Sequence, residues 1–432
     1  MPSIKLTLIG AGSPFTFHVV SDLIRRPALA GSTVALVDIN PEALDLSARI
    51  VQRMMAATGA DLHVEQSTER RDVLEGSDFV LNSISVGEPW ARERDVAIGE
   101  EYGIYQPTSQ TVGPAGFMRG LRVIPPVVAI AQDIAEICPD AWVLNLANPL
   151  SAVCRTMIRE ADLNVIGLCE QWKFTLPVFA AALDLPESSL DCLSVGLNHF
   201  TWALALYHQR EDVLPEFLER IYRPEKRAVL DSVPVSREVY EACGLWPTGN
   251  EAHIAEWFPY FLTPETHGGA DYKLTIRHTT QADWEARMVE RREWASGARP
   301  ITNLLGPSGE SAVEIIAALL SLEKPGVYMV NIPNGELIDN LPNEAIVELP
   351  AYVDPAGVRG LKVGPLPQPV AQLLSTRVVQ QELLADAAIF GDRQLALQGL
   401  LLDAQIVSLK AAKEILERSL AANAEWLPAF RR

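Results

Sequence analysis

IKLTLIGAGSPFTFHVVSDLI (residues 4–24) is the stretch whose reading decides the fold. IKLTLIG (4–10) is a continuous apolar run, the pattern of a parallel strand covered on both faces. Gly10-Ala11-Gly12-Ser13 follows, then a helical stretch through Val19, Leu23 and Ile24. The next strand-like run, TVALVDI (33–39), ends in Asp38, 26 positions after Gly12. Glycines in such a turn let backbone approach a pyrophosphate, and the helix N-terminus supplies N–H donors. An acid at the end of the second strand accepts from an adenosine ribose. The pattern GxGxxG lacks its third glycine, because Phe15 stands there. The series still predicts a dinucleotide site built on Gly10, Gly12, Ser13 and Asp38. Asp38 favours NAD over NADP, whose 2′-phosphate it would repel.

Further strands are expected at FVLNSIS (79–85), WVLNLAN (142–148) and VIGLC (165–169), with helices near 41–57, near 120–137 and from about 173. This alternation predicts an α/β fold: a doubly wound, Rossmann-like parallel sheet of the lactate/malate dehydrogenase kind. Ligands on such sheets sit at the carboxyl ends of the strands. Asn82, Asn145, Asn148 and Cys169 all fall there, Asn82 on the cofactor side. From about residue 193 the rhythm fades. The expected division is an NAD-binding domain over 1–192 and an α+β substrate and oligomerisation domain over 193–432. Helix-favouring stretches at 210–230, 281–297, 308–320 and 377–422 belong to the latter. The last is apolar enough for core or for the interface of a homodimer or homotetramer.

A chain of 432 residues exceeds the usual size of a single core. Its net charge of −19 argues against nucleic acid, whose binding requires Lys and Arg on phosphates. No run reaches the roughly 18 apolar residues of a membrane span, and the N-terminus has no basic region or cleavage site. Five cysteines form neither a CxxC nor a paired framework, so reduced thiols in a cytoplasmic protein are expected.

The connection 88–122 is long and carries Arg92, Arg94, Arg119 and Arg122 in an otherwise acidic protein. Connections of this length are more often functional than passive. Thr111 to Gly116 is made of small residues, and Thr111 and Gly113 are expected to let backbone approach the cofactor closely. VIGLCEQW (165–172) and SVGLNHFTW (194–202) each run from an apolar segment into a reactive side chain, Cys169 and His199. A thiol and an imidazole at strand ends suit a metal, although a buried Cys is commonly a small hydrophobe and a His a satisfied core residue.

GAGS, LVDIN, ARERD, TVGPAGFMRGLR, NLANPL, GLC and GLNHF occur in this order, followed by NEAHIAEWFPYF (250–261), SGESAVEII (308–316) and VNIPNGELIDNLPNEAIVELP (330–350). Over most of its length the chain resembles the NAD-dependent, metal-requiring family 4 glycoside hydrolases, nearest the branch acting on non-phosphorylated sugars. The resemblance implies transient oxidation of the sugar at C3 by NAD and loss of the acidified C2 proton. Elimination of the aglycone, addition of water and return of the hydride then follow. It implies a divalent metal, usually Mn²⁺, held by Cys169 and His199 and acting as a Lewis acid. After the Cys, the family carries Asp, Asn or His according to branch; this chain carries Glu170, as leaving-group acid or as a group reaching the metal. Tyr272, Asp271, and His253 with Glu256 are the base candidates. Arg92, Arg119, Asn148 and Glu256 are assigned to a small glycoside substrate. An anionic α-glycoside, a uronide or a sulfoquinovoside, is expected, with neutral α-glycosides as the alternative. Two rival readings are a 2-hydroxyacid dehydrogenase using His199 as acid–base, and a catalytically silent NAD-binding regulator.

Overall fold

The computed structural model describes residues 3–431. Six parallel strands open the chain: β1 (Lys5–Ile9), β2 (Ser32–Val37), β3 (Leu62–Ser67), β4 (Phe79–Asn82), β5 (Trp142–Asn145) and β6 (Asn164–Gly167). Their spatial order is β6-β5-β4-β1-β2-β3, the doubly wound dinucleotide-binding arrangement. Helices α1 (Phe15–Ile24), α2 (Pro41–Thr58), α3 (Trp90–Glu100), α4 (Gly113–Ile137) and α5 (Leu150–Ala161) connect them. The strands read as apolar runs because helices cover both faces; Leu6, Leu8, Leu36, Val80 and Val143 are all buried. β3 is the exception. At the sheet edge only Leu62 of LHVEQS is buried, so its sequence carries no strand signal.

The sheet continues past this unit. Antiparallel strands β7 (Leu190–Leu197), β8 (Phe200–His208), β9 (Glu211–Asp212), β10 (Trp246–Thr248), β11 (Gly326–Pro333), β12 (Ile346–Asp354) and β13 (Gly357–Gly360) complete thirteen. Outward from β6 the order is β11, β12, β7, β8, β10, with β13 beside β12 and β9 beside β8. The 192/193 division therefore crosses one continuous sheet. One core also spans it, packing Leu6, Leu8 and Leu36 with Ala295, Val313, Ile316, Val330 and Val353. The apolar stretch 377–422 is three helices, Gln368–Phe390, Arg393–Leu401 and Leu409–Ala422, the first ended by Gly391 in the left-handed region (φ +67°). Leu384, Ala388, Leu400, Leu416 and Leu420 pack on Phe117, Met118 and Leu121 of α4, so much of that apolarity is core. No described helix is long and apolar enough to cross a membrane.

Candidate active site at the strand ends

The turn after β1 is shaped by what has no room for a side chain. Gly10 takes φ +87°, and its amide and that of Ala11 donate to the Val37 carbonyl at 2.9 and 2.8 Å. A Cβ on Gly12 would lie 2.7 Å from Asp38 Oδ2 and 3.0 Å from the Ala43 Cβ. The Gly12 amide donates to Asp38 Oδ2 at 2.7 Å and the Asn40 amide to Oδ1 at 2.9 Å, so the acid is already oriented. Ser13 donates its amide to the Gly10 carbonyl, and its hydroxyl accepts from Phe15 N at 3.3 Å at the start of α1. These residues fit a dinucleotide. Arg291, from the helix Gln281–Ser296, adds a cation with its guanidinium 5.6 Å from the Phe17 ring centre. Burial lowers its pKa and the Asp38 carboxylate opposes that. Its helix reads as a charged solvent face, so nothing in the sequence marked it.

His199 ends the two-residue turn between β7 and β8 and takes φ +65°, a conformation that non-glycine residues keep only when their surroundings enforce it. Those surroundings are explicit. Its Nδ1 lies 2.8 Å from the Thr111 hydroxyl, its carbonyl accepts from Trp257 Nε1 at 2.7 Å, and its ring packs edge-on against His253 with centroids 4.4 Å apart. Burial, then His253 and Arg119, hold its pKa well below the usual value, so the imidazole is neutral; in the tautomer that donates Nδ1–H to Thr111, Nε2 keeps the lone pair that could ligate. Cys169 lies two residues past β6. Burial and the Glu348 carboxylate push its thiol well above the usual range, while the Gln171 amide and the Asn198 side chain oppose them. A divalent cation would displace that proton. The thiol–imidazole pair suits such an ion, and among the described residues no group of three or more His, Cys, Asp or Glu forms a closed cage.

Around the pair, Arg119 of α4 donates to Ser85 Oγ at 3.1 Å and approaches Glu88 Oε1 at 3.3 Å, with Nε buried and unpartnered. Glu170 accepts from the Ser311 hydroxyl and pairs with Lys173 Nζ at 2.6 Å. The 308–311 block thus meets the 169–173 segment. Burial, with repulsion from Glu170, pushes the adjacent Glu310 up to about 7.

Two profiles of known proteins match this chain. Residues 5–184 match the family 4 glycosyl hydrolases and residues 194–406 the family 4 glycosyl hydrolase C-terminal domain. The chain belongs to family 4 of the glycosyl hydrolases. It is 30% identical to an alpha-glucosidase of Erwinia rhapontici over 98% of both chains. It is 32% identical to an alpha-galacturonidase of Bacillus subtilis (strain 168) over 93% of each. The crystal structure of the lplD protein of Bacillus subtilis superposes with a TM-score of 0.85 over 97% of this chain and 100% of that one, at 27% identity. A 6-phospho-alpha-glucosidase from gut microorganisms, solved with NAD and Mn²⁺, shares the fold at a TM-score of 0.82, 22% identity and full coverage of both chains. Membership makes the chain a glycosidase and displaces the dehydrogenase reading, which rested on the shared nucleotide fold.

Several expected site residues of this family 4 enzyme have other tasks in the structure. Tyr272 is held by neighbours of its own. Its hydroxyl donates to Glu238 at 3.0 Å and its ring packs on Phe261. Burial and Glu238 raise its pKa, opposite to what a base requires. Asp271 pairs with the exposed His267. Glu256 accepts from the Thr108 amide at 2.7 Å, the Thr108 hydroxyl and the Ser109 amide at 2.9 Å, so it anchors that loop. Arg92 is an internal brace bonded to Glu93, the Pro107 carbonyl and the Arg277 carbonyl. The Gly113 amide, expected at the cofactor, donates to Asp403 at 2.8 Å, and Thr111 serves His199. Asn82 is fully buried and ties the ends of β4 and β5 by donating to Asn145 Oδ1 at 2.8 Å. Asn148 is half-buried at the head of α5, its Oδ1 accepting from the Leu150 amide at 3.3 Å. His253 is brought in: burial lowers it to about 4, its Nδ1 lacks a partner, and its Nε2 lies 3.4 Å from Gln110 Oε1.

Proposed function

We propose that the chain is an NAD-dependent, divalent-metal α-glycosidase whose sugar carries a fixed anion other than a 6-phosphate, a uronide or a sulfoquinovoside. The observation that carries the reading is the neutral, oriented His199 with Arg119 beside it. A ligating imidazole then has beside it a guanidinium whose charge it feels and whose Nε is unpaired. The likeness to an alpha-galacturonidase over nearly the whole chain supports the anion. When bound, NAD supplies a hydride acceptor for the sugar's C3–H bond and the metal a Lewis acid for the neighbouring oxygens. Gly10 and Gly12 admit the cofactor's diphosphate, and Asp38 accepts from its ribose hydroxyls. Cys169 and His199 hold the metal, Thr111 fixes the His199 tautomer, and His253 packs the ring in place. Arg119 pairs with the anion, and Asn148 hydrogen-bonds a sugar hydroxyl. Glu170, steadied by Ser311 and Lys173, moves a proton at the glycosidic oxygen.

The test is a panel of nitrophenyl α-glycosides in deuterated buffer with NAD, with and without Mn²⁺ and EDTA. The expected result is free sugar bearing deuterium at C2, no net NADH, loss of turnover in EDTA, and preference for anionic over neutral glycosides. Accumulating NADH overturns the glycosidase cycle. Equal rates on a neutral α-glucoside overturn the anion.

A further inference from the structure

The strands leading to Cys169 and His199 do not touch. Between β6 and β7 the sheet inserts the β11–β12 hairpin. One row of residues crosses this gap: Gly167 of β6 pairs with Asn331 of β11, Asn331 with Glu348 of β12, and Glu348 with Gly196 of β7. The outer members lie two and three residues before Cys169 and His199. Neither has room for a side chain. A Cβ on Gly167 would meet Cys154 Sγ at 2.8 Å and the Asn331 Cβ at 2.9 Å, and one on Gly196 would meet the Phe200 carbonyl. Asn331 and Glu348 are therefore the only side chains in the row.

Glu348 is wholly buried. Its Oε2 accepts from Asn198 Nδ2 at 2.9 Å and from Asn331 Nδ2 at 3.0 Å. Asn198 is the other residue of the His199 turn, and its side chain faces the Cys169 thiol. A continuous polar chain thus runs from β11 through Glu348 to both reactive positions. Packing does not ask for it: a carboxyl in the middle of a sheet is costly to bury, and Glu348 Oε1, Asn198 Oδ1 and Asn331 Oδ1 have no partner among the described residues. An apolar side chain would fill the place more stably.

We propose that Glu348 is a positioning residue, the buried tie that sets the spacing of Cys169 and His199 for a divalent cation by holding the Asn198-His199 turn to β11. This rests on the metal reading above, and the experiment separates the two. Mn²⁺ binding to the full chain is titrated by electron paramagnetic resonance of the free ion, NAD binding by calorimetry, and folding by thermal melting. Wild type must bind Mn²⁺, and C169A must lose it; failure of either rejects the metal reading whatever Glu348 does. Given that, E348A is expected to weaken Mn²⁺ binding at least about tenfold, the usual size of an outer-sphere effect, with NAD affinity unchanged. E348Q, which keeps an acceptor for both asparagines, is expected to restore Mn²⁺ affinity to within about threefold of wild type. Wild-type Mn²⁺ affinity in E348A overturns the proposal, as do parallel losses of Mn²⁺ and NAD in both variants. Should E348A not fold, N331A carries the test: it leaves Glu348 in place but removes its β11 anchor. Weaker Mn²⁺ binding with unchanged NAD binding supports the tie, and unchanged Mn²⁺ binding rejects it.

Discussion

Thr111 and Arg119 both act on His199, one by geometry and one by charge. The Thr111 hydroxyl engages Nδ1 and so leaves Nε2 as the ring nitrogen for a ligand. Thr111→Val keeps the shape and removes that bond. Mn²⁺ affinity is expected to fall about tenfold, with Thr111→Ser near wild type and NAD affinity unchanged in both. The pair of Mn²⁺ titrations checks this, and a wild-type value for the valine variant breaks the assignment. Arg119 is held by Ser85 and Glu88 yet keeps an unpartnered Nε. If it pairs with the substrate's anion, Arg119→Ala removes one partner of a desolvated charge pair. That lowers kcat/KM on an anionic glycoside by about 30-fold or more, from a cost of about 2 kcal/mol or above. A neutral glycoside measured alongside is expected to change far less. Equal losses on both would mean that Arg119 serves the fold.

The short helix Glu251–Glu256 shows how an element places the site without touching substrate. Its last residue grips the 108–109 loop, and Thr111 follows three and two positions on. Burial pushes the Glu256 carboxyl up to about 7 against the bonds from Thr108 and Ser109, which favour its charged form. The folded chain then keeps a proton that the unfolded chain releases near the ordinary value of 4.5. This contribution to stability is complete below that value and is lost as pH climbs through the folded one. It amounts to about 3 kcal/mol. Glu256→Gln has no such slope, so urea midpoints across this window should show wild type falling relative to the variant as pH rises. Parallel lines would mean a carboxylate charged throughout. Elements also divide what the residues alone disclosed from what they did not. β1, β2, β4, β5 and β6 were legible because burial on both faces leaves apolar runs, and Cys169 and His199 were legible as reactive groups at strand ends. Glu348 was not, since its meaning depends on β11 and β12 entering between β6 and β7. The partner of Tyr272 was hidden for a similar reason: Glu238 lies 34 positions away and is joined only by the fold.

At the scale of the whole molecule, the expectation of two domains meets a sheet that does not stop. β6 ends the parallel unit, but its outer edge is occupied by β11, and helices from residues 281–319 pack on α1 and α2. A chain cut at 192 would leave that edge open and would strip Ala295, Val313, Val330 and Val353 from the core they share with Leu6 and Leu36. The dinucleotide turn and the thiol–imidazole pair are then expected to unfold as parts of one cooperative unit. Scanning calorimetry should give a single transition with matching calorimetric and van't Hoff enthalpies. NAD at 100 times its Kd should raise that whole transition by about 2.7 kcal/mol of stabilisation, since the ligand binds only the folded chain. Two resolved transitions, with NAD moving only one, would show that the halves fold separately and that the β6–β11 junction is a docking surface between them. A single transition moved as a unit means that the cofactor site and the Cys169–His199 strand ends rest on one shared core.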